Sequence, residues 1–166
     1  MKKRISELFS NRGSDKDSRH MFGFFYDWIT DSISIESILE IGVLDGASAF
    51  AWRDFDPKIR FIGVDMDLCD GVDVIQTVTP DYSPVISRCI NDDLKFDIVI
   101  DDGSHNETCQ VESKRLLFEF VKPGGLYVIE NAHSTDVRKR FPDAGIIDNS
   151  GVTGHVDSTI AWWRKR

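Results

Sequence analysis

A doubly wound α/β fold, with a mostly parallel seven-stranded sheet and helices on both faces, is the architecture this sequence predicts. Three observations carry that reading. Strand-like apolar runs alternate with helix-like segments along most of the chain, the pattern of a parallel sheet covered on both sides. The run Phe96-Asp-Ile-Val-Ile-Asp101 is nearly continuous in apolar residues, as in strands buried on both faces. Leu39-Glu40-Ile41-Gly42-Val43-Leu44-Asp45-Gly46-Ala47-Ser48 reads as a strand, a glycine-bearing loop and a helix start.

Taken in order, Ser14-Asp15 can cap a helix that runs through His20 to Ile29, rich in aromatic residues. Ser37 to Gly42 is the first strand, Ala47 to Phe55 a helix stopped before Pro57, and Arg60 to Asp65 the second strand. Val72 to Gln76 is a weaker third strand, and Ser83 to Asn91 a helix with Pro84 in its first turn. Phe96 to Ile100 is the fourth strand, followed by a helix from Glu107 to Val121. Lys122-Pro-Gly-Gly is a strong breaker, and Leu126 to Glu130 is the fifth strand. Gly145 to Asp148 and Ser158 to Trp163 complete the set. The length fits a single domain over 1–166, with a helical segment over 1–35, a core over 36–131 and C-terminal strands over 132–166.

Composition narrows the function classes. Hydrophobic content of 41% and charged content of 29% suit a globular protein with a real core. A formal charge of −8 opposes a nucleic-acid surface. The basic clusters Lys2-Lys3-Arg4, Arg138-Lys139-Arg140 and Arg164-Lys165-Arg166 are short; the middle one could rim a site for an acidic substrate or be a solvated helix turn. No apolar run reaches transmembrane length, and the basic start lacks the apolar stretch of a signal peptide. Cytoplasmic residence is the expectation. Cys69, Cys89 and Cys109 are widely spaced, which predicts free thiols.

In open α/β sheets ligands bind beyond the carboxyl ends of the strands, so chemistry is sought there. Gly42 and Gly46 can let a ligand approach the main chain. Asp65 lies about 23 residues past Gly42, where an acid can hold a ribose diol. The glycine spacing is not that of a dinucleotide site or a P-loop, so a nucleoside without pyrophosphate fits better. The fourth strand ends in Asp101-Asp102-Gly-Ser-His105 and the fifth in Glu130-Asn131. Taken singly, Glu130 or Asp101 reads as a cap or a solvated turn, and His105 as a surface histidine. Together they read as a site. Asp102, Glu130 and Asn131 offer oxygen ligands to a hard cation such as Mg²⁺, and His105 can serve as general base on an acceptor hydroxyl. His133 is a second candidate by its closeness to Glu130; His155 has only a bland reading.

Leu39-Glu-Ile-Gly42, Gly63-Val-Asp65 and Val121-Lys-Pro-Gly-Gly125-Leu-Tyr-Val-Ile129 resemble the motifs of class I S-adenosylmethionine-dependent methyltransferases, which have a Rossmann-like fold. Ile100-Asp-Asp-Gly-Ser-His105 and Tyr127-Val-Ile-Glu-Asn131 are similar to the metal-dependent sugar O-methyltransferases related to the cephalosporin hydroxylase and rhamnosyl methyltransferase group. Gly13-Ser-Asp15-Lys16 with His20 and Tyr26 resembles the segment ahead of that group's first strand. The resemblance implies S-adenosylmethionine held by Glu40, Gly42, Val43, Gly46, Ser48, Asp65, Met66, Asp101, Asp15 and Lys16, with Asp101 structural or on the cofactor side. It implies Mg²⁺ on Asp102, Glu130 and Asn131, and catalysis by His105 with Asp102. The group's fifth strand ends in Glu-Asp; Asn131 supplies an amide instead, which implies a weaker metal site. The expected reaction is methyl transfer to a hydroxyl of a sugar or glycosylated small molecule. The alternatives are metal-independent transfer, a non-catalytic cofactor-binding module and a structural role. A homo-oligomer that binds neither nucleic acid nor membrane is expected.

Overall fold

A computed structural model describes residues 3–166, so the expectations for the N-terminal start and for Lys2 lie outside the described residues. The chain first makes three helices, α1 (Ile5–Arg12), α2 (Asp15–Ser18) and α3 (Gly23–Ser32). Then β1 (Ser37–Ile41), α4 (Ala47–Phe55), β2 (Arg60–Asp65), β3 (Asp73–Gln76), α5 (Ser83–Asn91), β4 (Phe96–Asp101) and α6 (Glu107–Leu117) alternate strand and helix with one hairpin-free pause at β2–β3. The chain closes with β5 (Val121–Ile129), α7 (Val137–Arg140), β6 (Gly145–Asp148), α8 (Ser150–Thr153) and β7 (Thr159–Arg164).

One sheet holds all seven strands in the order β3-β2-β1-β4-β5-β7-β6. Pairings from β3 through β5 are parallel, and β7 runs antiparallel to both β5 and β6. The order reverses between β1 and β4, and a ligand crevice opens at such a switch point. Ile38, Ile98, Ile100, Leu126 and Val128 face a layer built from Ile5, Phe9, Phe25, Tyr26, Ile29 and Trp52. Leu39, Ile41, Val99, Tyr127 and Ile129 face the opposite layer with Val85, Leu117 and Phe120. Successive strand side chains point to opposite faces. Glu40, Asp102 and Glu130 therefore continue the first set past its isoleucines and valine, while Asp101 continues the second.

Four expectations are corrected. The N-terminal helix is not continuous from residue 14 to 29. Ser14 caps α2, its Oγ accepting from the Lys16 amide at 3.4 Å, but Met21 takes a left-handed φ of 56° and the Phe22 amide folds back on the Lys16 carbonyl at 2.7 Å. This break turns Lys16 and His20 into the protein (1% and 4% exposed). Upstream, α1 was not foreseen; its Gly13 end, at φ 78°, closes on the carbonyls of Phe9 and Ser10. Lys122-Pro-Gly-Gly does not precede β5 but lies within it. Pairing slips between Phe96↔Val121 and Ile98↔Leu126, so these residues bulge and the strand resumes. Finally, α6 ends at Leu117 and a single 3-10 turn covers Phe118–Phe120. The three cysteines are free, as expected. Arg138-Lys139-Arg140 is a helix turn whose Arg140 pairs with Asp136 and Glu107.

The N-terminal ends of β1 and β4 are tied by one carboxylate. Asp97 Oδ2 accepts from the amides of Glu36 (2.8 Å) and Ser37 (2.9 Å), the Ser37 hydroxyl (2.9 Å) and Lys122 Nζ (3.0 Å). Burial opposes the charge, but these donors outweigh it and hold the carboxyl below its usual range. Hydrogen bonds to a charged group contribute about 2 kcal/mol, so Asp97→Ala is expected to lower unfolding free energy by about that amount at neutral pH. A depressed folded-state pKa gives stability that is present above the unfolded value and lost as pH falls through the folded one. Urea titrations from pH 7 into the acid range should show the wild type and Asp97→Ala converging; a constant gap would contradict this.

Candidate functional site

A cavity of about 580 Å³ opens at the carboxyl ends of β1, β2 and β4. Its walls are the turn Gly13–Lys16, the loop Gly42–Asp45, Asp65-Met66, Thr77–Thr79 and Asp102–His105. The β1 loop is shaped by a close approach. Gly42 sits at φ 86°, and a Cβ there would lie 2.1 Å from the Asp102 carbonyl oxygen. Asp65 holds the loop from the neighbouring strand, its Oδ2 accepting from the amides of Val43 (2.7 Å) and Leu44 (3.0 Å). Burial alone would raise its pKa, yet these amides and that of Asp67 lower it. The carboxylate thus shapes the loop as well as facing the cavity, a task its position in the sequence did not reveal.

At the inner wall three strands deliver three acids to one cation. Lys16 Nζ lies 2.7 Å from Asp102 Oδ2, 2.9 Å from Glu130 Oε1 and 3.3 Å from Glu40 Oε1. Ser48 donates to Glu40 Oε2 at 2.7 Å, and the buried Tyr26 hydroxyl donates to Glu130 Oε1. Burial acts against the Lys16 charge, but attraction to Asp102, Glu130 and Glu40 raises its pKa well above normal. Burial also raises Glu130, to about 8, with Asp102 and Glu40 adding to the effect and Lys16 opposing it. These two shifts pull in different senses, and the count resolves them: three carboxylates share one ammonium, so the lysine stays charged and the acids remain short of positive charge.

His105 Nε2 lies 3.2 Å from Asp102 Oδ1, and this contact raises the imidazole pKa. The ring is 44% exposed at the cavity mouth. Asn131 follows Glu130 with a left-handed φ of 53°; its amide nitrogen donates to His20 Nε2 at 3.2 Å, and His20 Nδ1 meets Ser158 Oγ at 3.0 Å. Leu44 and His105 take similar left-handed angles, so each of the three strand-end loops holds one non-glycine residue there. Such residues cluster where loops are shaped for ligands.

Of the residues singled out from sequence, Asp15, Lys16, Glu40, Gly42, Val43, Ser48, Asp65, Met66, Asp102 and His105 line the cavity. Gly46 does not; at φ 82° it starts α4. Asp101 does not either. It faces α6, accepting from the Ser113 hydroxyl and, at 3.3 Å, from the Gly103 amide, and burial lifts its carboxyl to about 6. Glu130 meets Lys16 and Asn131 meets His20, and both are buried, at 1% and 3% exposure. Tyr26, His20, Ser158 and Ser113 complete these networks, and only the first two had a sequence signal. His133 and His155 are exposed, and His155 lies near His20 with ring centres 6.2 Å apart.

Carboxylate oxygens of the kind a divalent cation takes are present at this wall, but most of them already have partners. Among the described residues no three His, Cys, Asp or Glu side chains are grouped so as to hold a metal ion. Asp102 gives one oxygen to Lys16 and the other to His105, and Glu130 Oε1 meets both Lys16 and Tyr26.

No protein-family model matches the chain. It is 38% identical over 105 residues to mycinamicin VI 2''-O-methyltransferase of Micromonospora griseorubida, covering 57% of this chain and 26% of that protein. It is 31% identical over 144 residues to 8-demethyl-8-alpha-L-rhamnosyl tetracenomycin-C 2'-O-methyltransferase of Streptomyces olivaceus, covering 79% of this chain and 38% of that protein. The solved MycE methyltransferase from the mycinamycin pathway, in complex with Mg, SAH and mycinamycin VI, superposes with a TM-score of 0.72 at 32% identity, over 84% of this chain and 40% of that one. The chain thus spans about a quarter to two fifths of the length of these relatives. Its fold is that of the class I S-adenosylmethionine-dependent methyltransferases. The relatives it is similar to within that class are sugar O-methyltransferases.

The approach at Gly42 gives a direct test. Gly42→Ala must push apart the ends of β1 and β4, and strained positive-φ or overpacked sites cost about 3 kcal/mol. Thermal melts should show a clear loss, larger than for Gly154→Ala, where the same strain meets open space. Equal losses would mean that the close approach is unimportant.

Proposed function

We propose that the chain is the methyl-transfer domain of an S-adenosylmethionine-dependent O-methyltransferase that works with Mg²⁺ on a hydroxyl of a sugar or glycosylated small molecule. The observation that carries this reading is the convergence of the Asp65-anchored glycine loop, the acid cluster and His105 on one cavity at the switch point. The likeness to MycE supports both Mg²⁺ and the cofactor.

The bound cofactor would supply an electrophilic methyl group, and Mg²⁺ would make an acceptor hydroxyl more acidic. Gly42 and Val43 would border the methionine portion, with Glu40, Ser48, Met66 and Asp15 around the cofactor and Asp65 at the ribose. Asp102, Glu130 and Asn131 would hold the metal. Asp102 holds His105 through Nε2, which leaves Nδ1 to take the acceptor proton as the oxygen gains the methyl group. Gly46 and Asp101 would act indirectly, by starting α4 and by fastening β4 to α6. Metal-independent transfer by His105 and Asp102 is the second reading, favoured by the ammonium already paired with two of the proposed ligands.

We read the chain as a single domain, supported by one sheet joining the core over 36–131 to the strands over 132–166. Exposed Met21, Phe24 and Trp28 (44%, 53% and 46%) support a homo-oligomer. Among the described residues no helix is long and apolar enough to cross a membrane; with the acidic charge, this supports a cytoplasmic protein that binds neither membrane nor nucleic acid.

Calorimetric titration with S-adenosylmethionine should show binding, and Asp102→Ala should remove the effect of added Mg²⁺ on methylation of a sugar hydroxyl. His105→Ala should lower kcat by about 100-fold or more, the usual weight of a general base, with little change in cofactor affinity. No cofactor binding would overturn the reading. Binding without turnover on any hydroxyl acceptor would leave a cofactor-binding module.

A further inference from the structure

One member of the basic turn Arg138-Lys139-Arg140 points inward. The Arg140 side chain is 10% exposed, whereas Arg138 and Lys139 are open to solvent. Charged side chains are rarely buried without partners, and the planar fork of an arginine can serve several at once. Nη1 donates to Gln110 Oε1 at 3.1 Å, and Nη2 pairs with Asp136 and, at 3.3 Å, with Glu107 Oε1. Nε stays buried with no hydrogen-bond partner among the described residues, an unmet cost that a solvated turn would avoid.

These partners flank two strand ends. Glu107 opens α6 and Gln110 lies in its first turn, two and five residues after His105. Asn106 caps the helix between them, its Oδ1 accepting from the amides of Thr108 (2.9 Å) and Cys109 (3.3 Å). Gln110, 2% exposed, passes the contact on, its Nε2 donating to the Glu130 carbonyl at 3.1 Å. Because a guanidinium can only donate, Arg140 fixes which end of the Gln110 amide faces that carbonyl. From Glu130 the chain runs through Asn131 and Asp136 back to Arg140. The contacts close a ring around the β5 end, and the loop that carries His105 is fastened to it by the start of α6.

We propose that Arg140 is a positioning residue for methyl transfer: through Gln110 and Glu107 it holds the start of α6 against the end of β5, and so sets where the His105 imidazole stands at the cavity mouth. This inference rests on the reading of His105 as general base. It goes further by naming a residue outside the cavity walls on which that base depends. A lysine in its place keeps the charge but offers a point donor where the fork reaches three side chains.

Arg140→Lys and Gln110→Leu should each lower kcat about 10-fold, since a displacement on the order of 1 Å near the reacting groups can cost 100-fold. KM for S-adenosylmethionine should stay unchanged, because Asp65 and Gly42 shape the cofactor side independently. The double variant should lose no more than the worse single one, the sign of a shared path. Lys139→Met, exposed in the same turn, should leave kcat unchanged. Amide hydrogen exchange should quicken at Ser104–Cys109 in both single variants and not at Val43–Ala47. Unchanged kcat in Arg140→Lys, or losses that add in the double variant, would overturn the inference. A cofactor KM that rises as kcat falls would also overturn it, making Arg140 a general support of the fold. An equal loss in Lys139→Met would assign the effect to the charge of the turn, with the same consequence. Wild-type protein that binds cofactor but methylates no hydroxyl would instead sink the reading of the reaction, whereas unchanged exchange at Ser104–Cys109 in the variants removes the arginine's hold on the loop.

Discussion

The contact between Lys16 and three carboxylates is the constraint on which the rest of this site depends. Glu40 lies in β1 opposite Ile100, while Asp102 and Glu130 directly follow the paired ends Asp101 and Ile129 of β4 and β5, so bringing the acids together requires both the strand order and this register. Each is also too costly to bury alone. The cation makes the convergence tolerable and links the N-terminal helices to the sheet over sequence separations of 86 and 114 residues. Tyr26, from α3 of the same N-terminal layer, adds its hydroxyl to Glu130 while packing edge-on against Phe9 and Trp52. Apolar packing and the polar cluster are therefore one layer, built by one segment.

The cavity has a polar inner wall and a shaped loop opposite. Asp65 fixes the loop through backbone amides, and Gly42 lets it press against the start of the β4 loop. These contacts need no ligand, so the pocket is largely preformed, which lowers the ordering cost of binding. Exposed Leu44 and Met66 stand at its rim at 86% and 59%.

Much of the fold was legible in local pattern. Helix α4 and strand β2 follow their predicted bounds because a helix-starting glycine, a following Pro57 and a compact apolar run mark them. The N-terminal layer was less legible: α1 has few apolar residues, and the turn after α2 is set by distant partners of Lys16 and His20. Lys122-Pro-Gly-Gly reads as a break on local grounds, yet pairing with β4 on one side and β7 on the other carries the strand through it. For the site, the residue types were visible but their groupings were not. Asp101 and Asp102 look equivalent in sequence; strand alternation sends one to Ser113 and the other to Lys16.

The sequence by itself determined the class of fold and the location of the chemistry, because apolar runs, glycine turns and polar strand ends are short-range patterns written in consecutive residues. It also fixed which residues could act: the acids, the imidazole and Asn131. Only the tertiary structure decided that Lys16 belongs to the acid cluster, that Asp65 braces the glycine loop and that Asp101 is turned away. Those outcomes depend on strand order, register and burial across the whole sheet. A buried charge can be assigned a partner only when every charge around it has been placed.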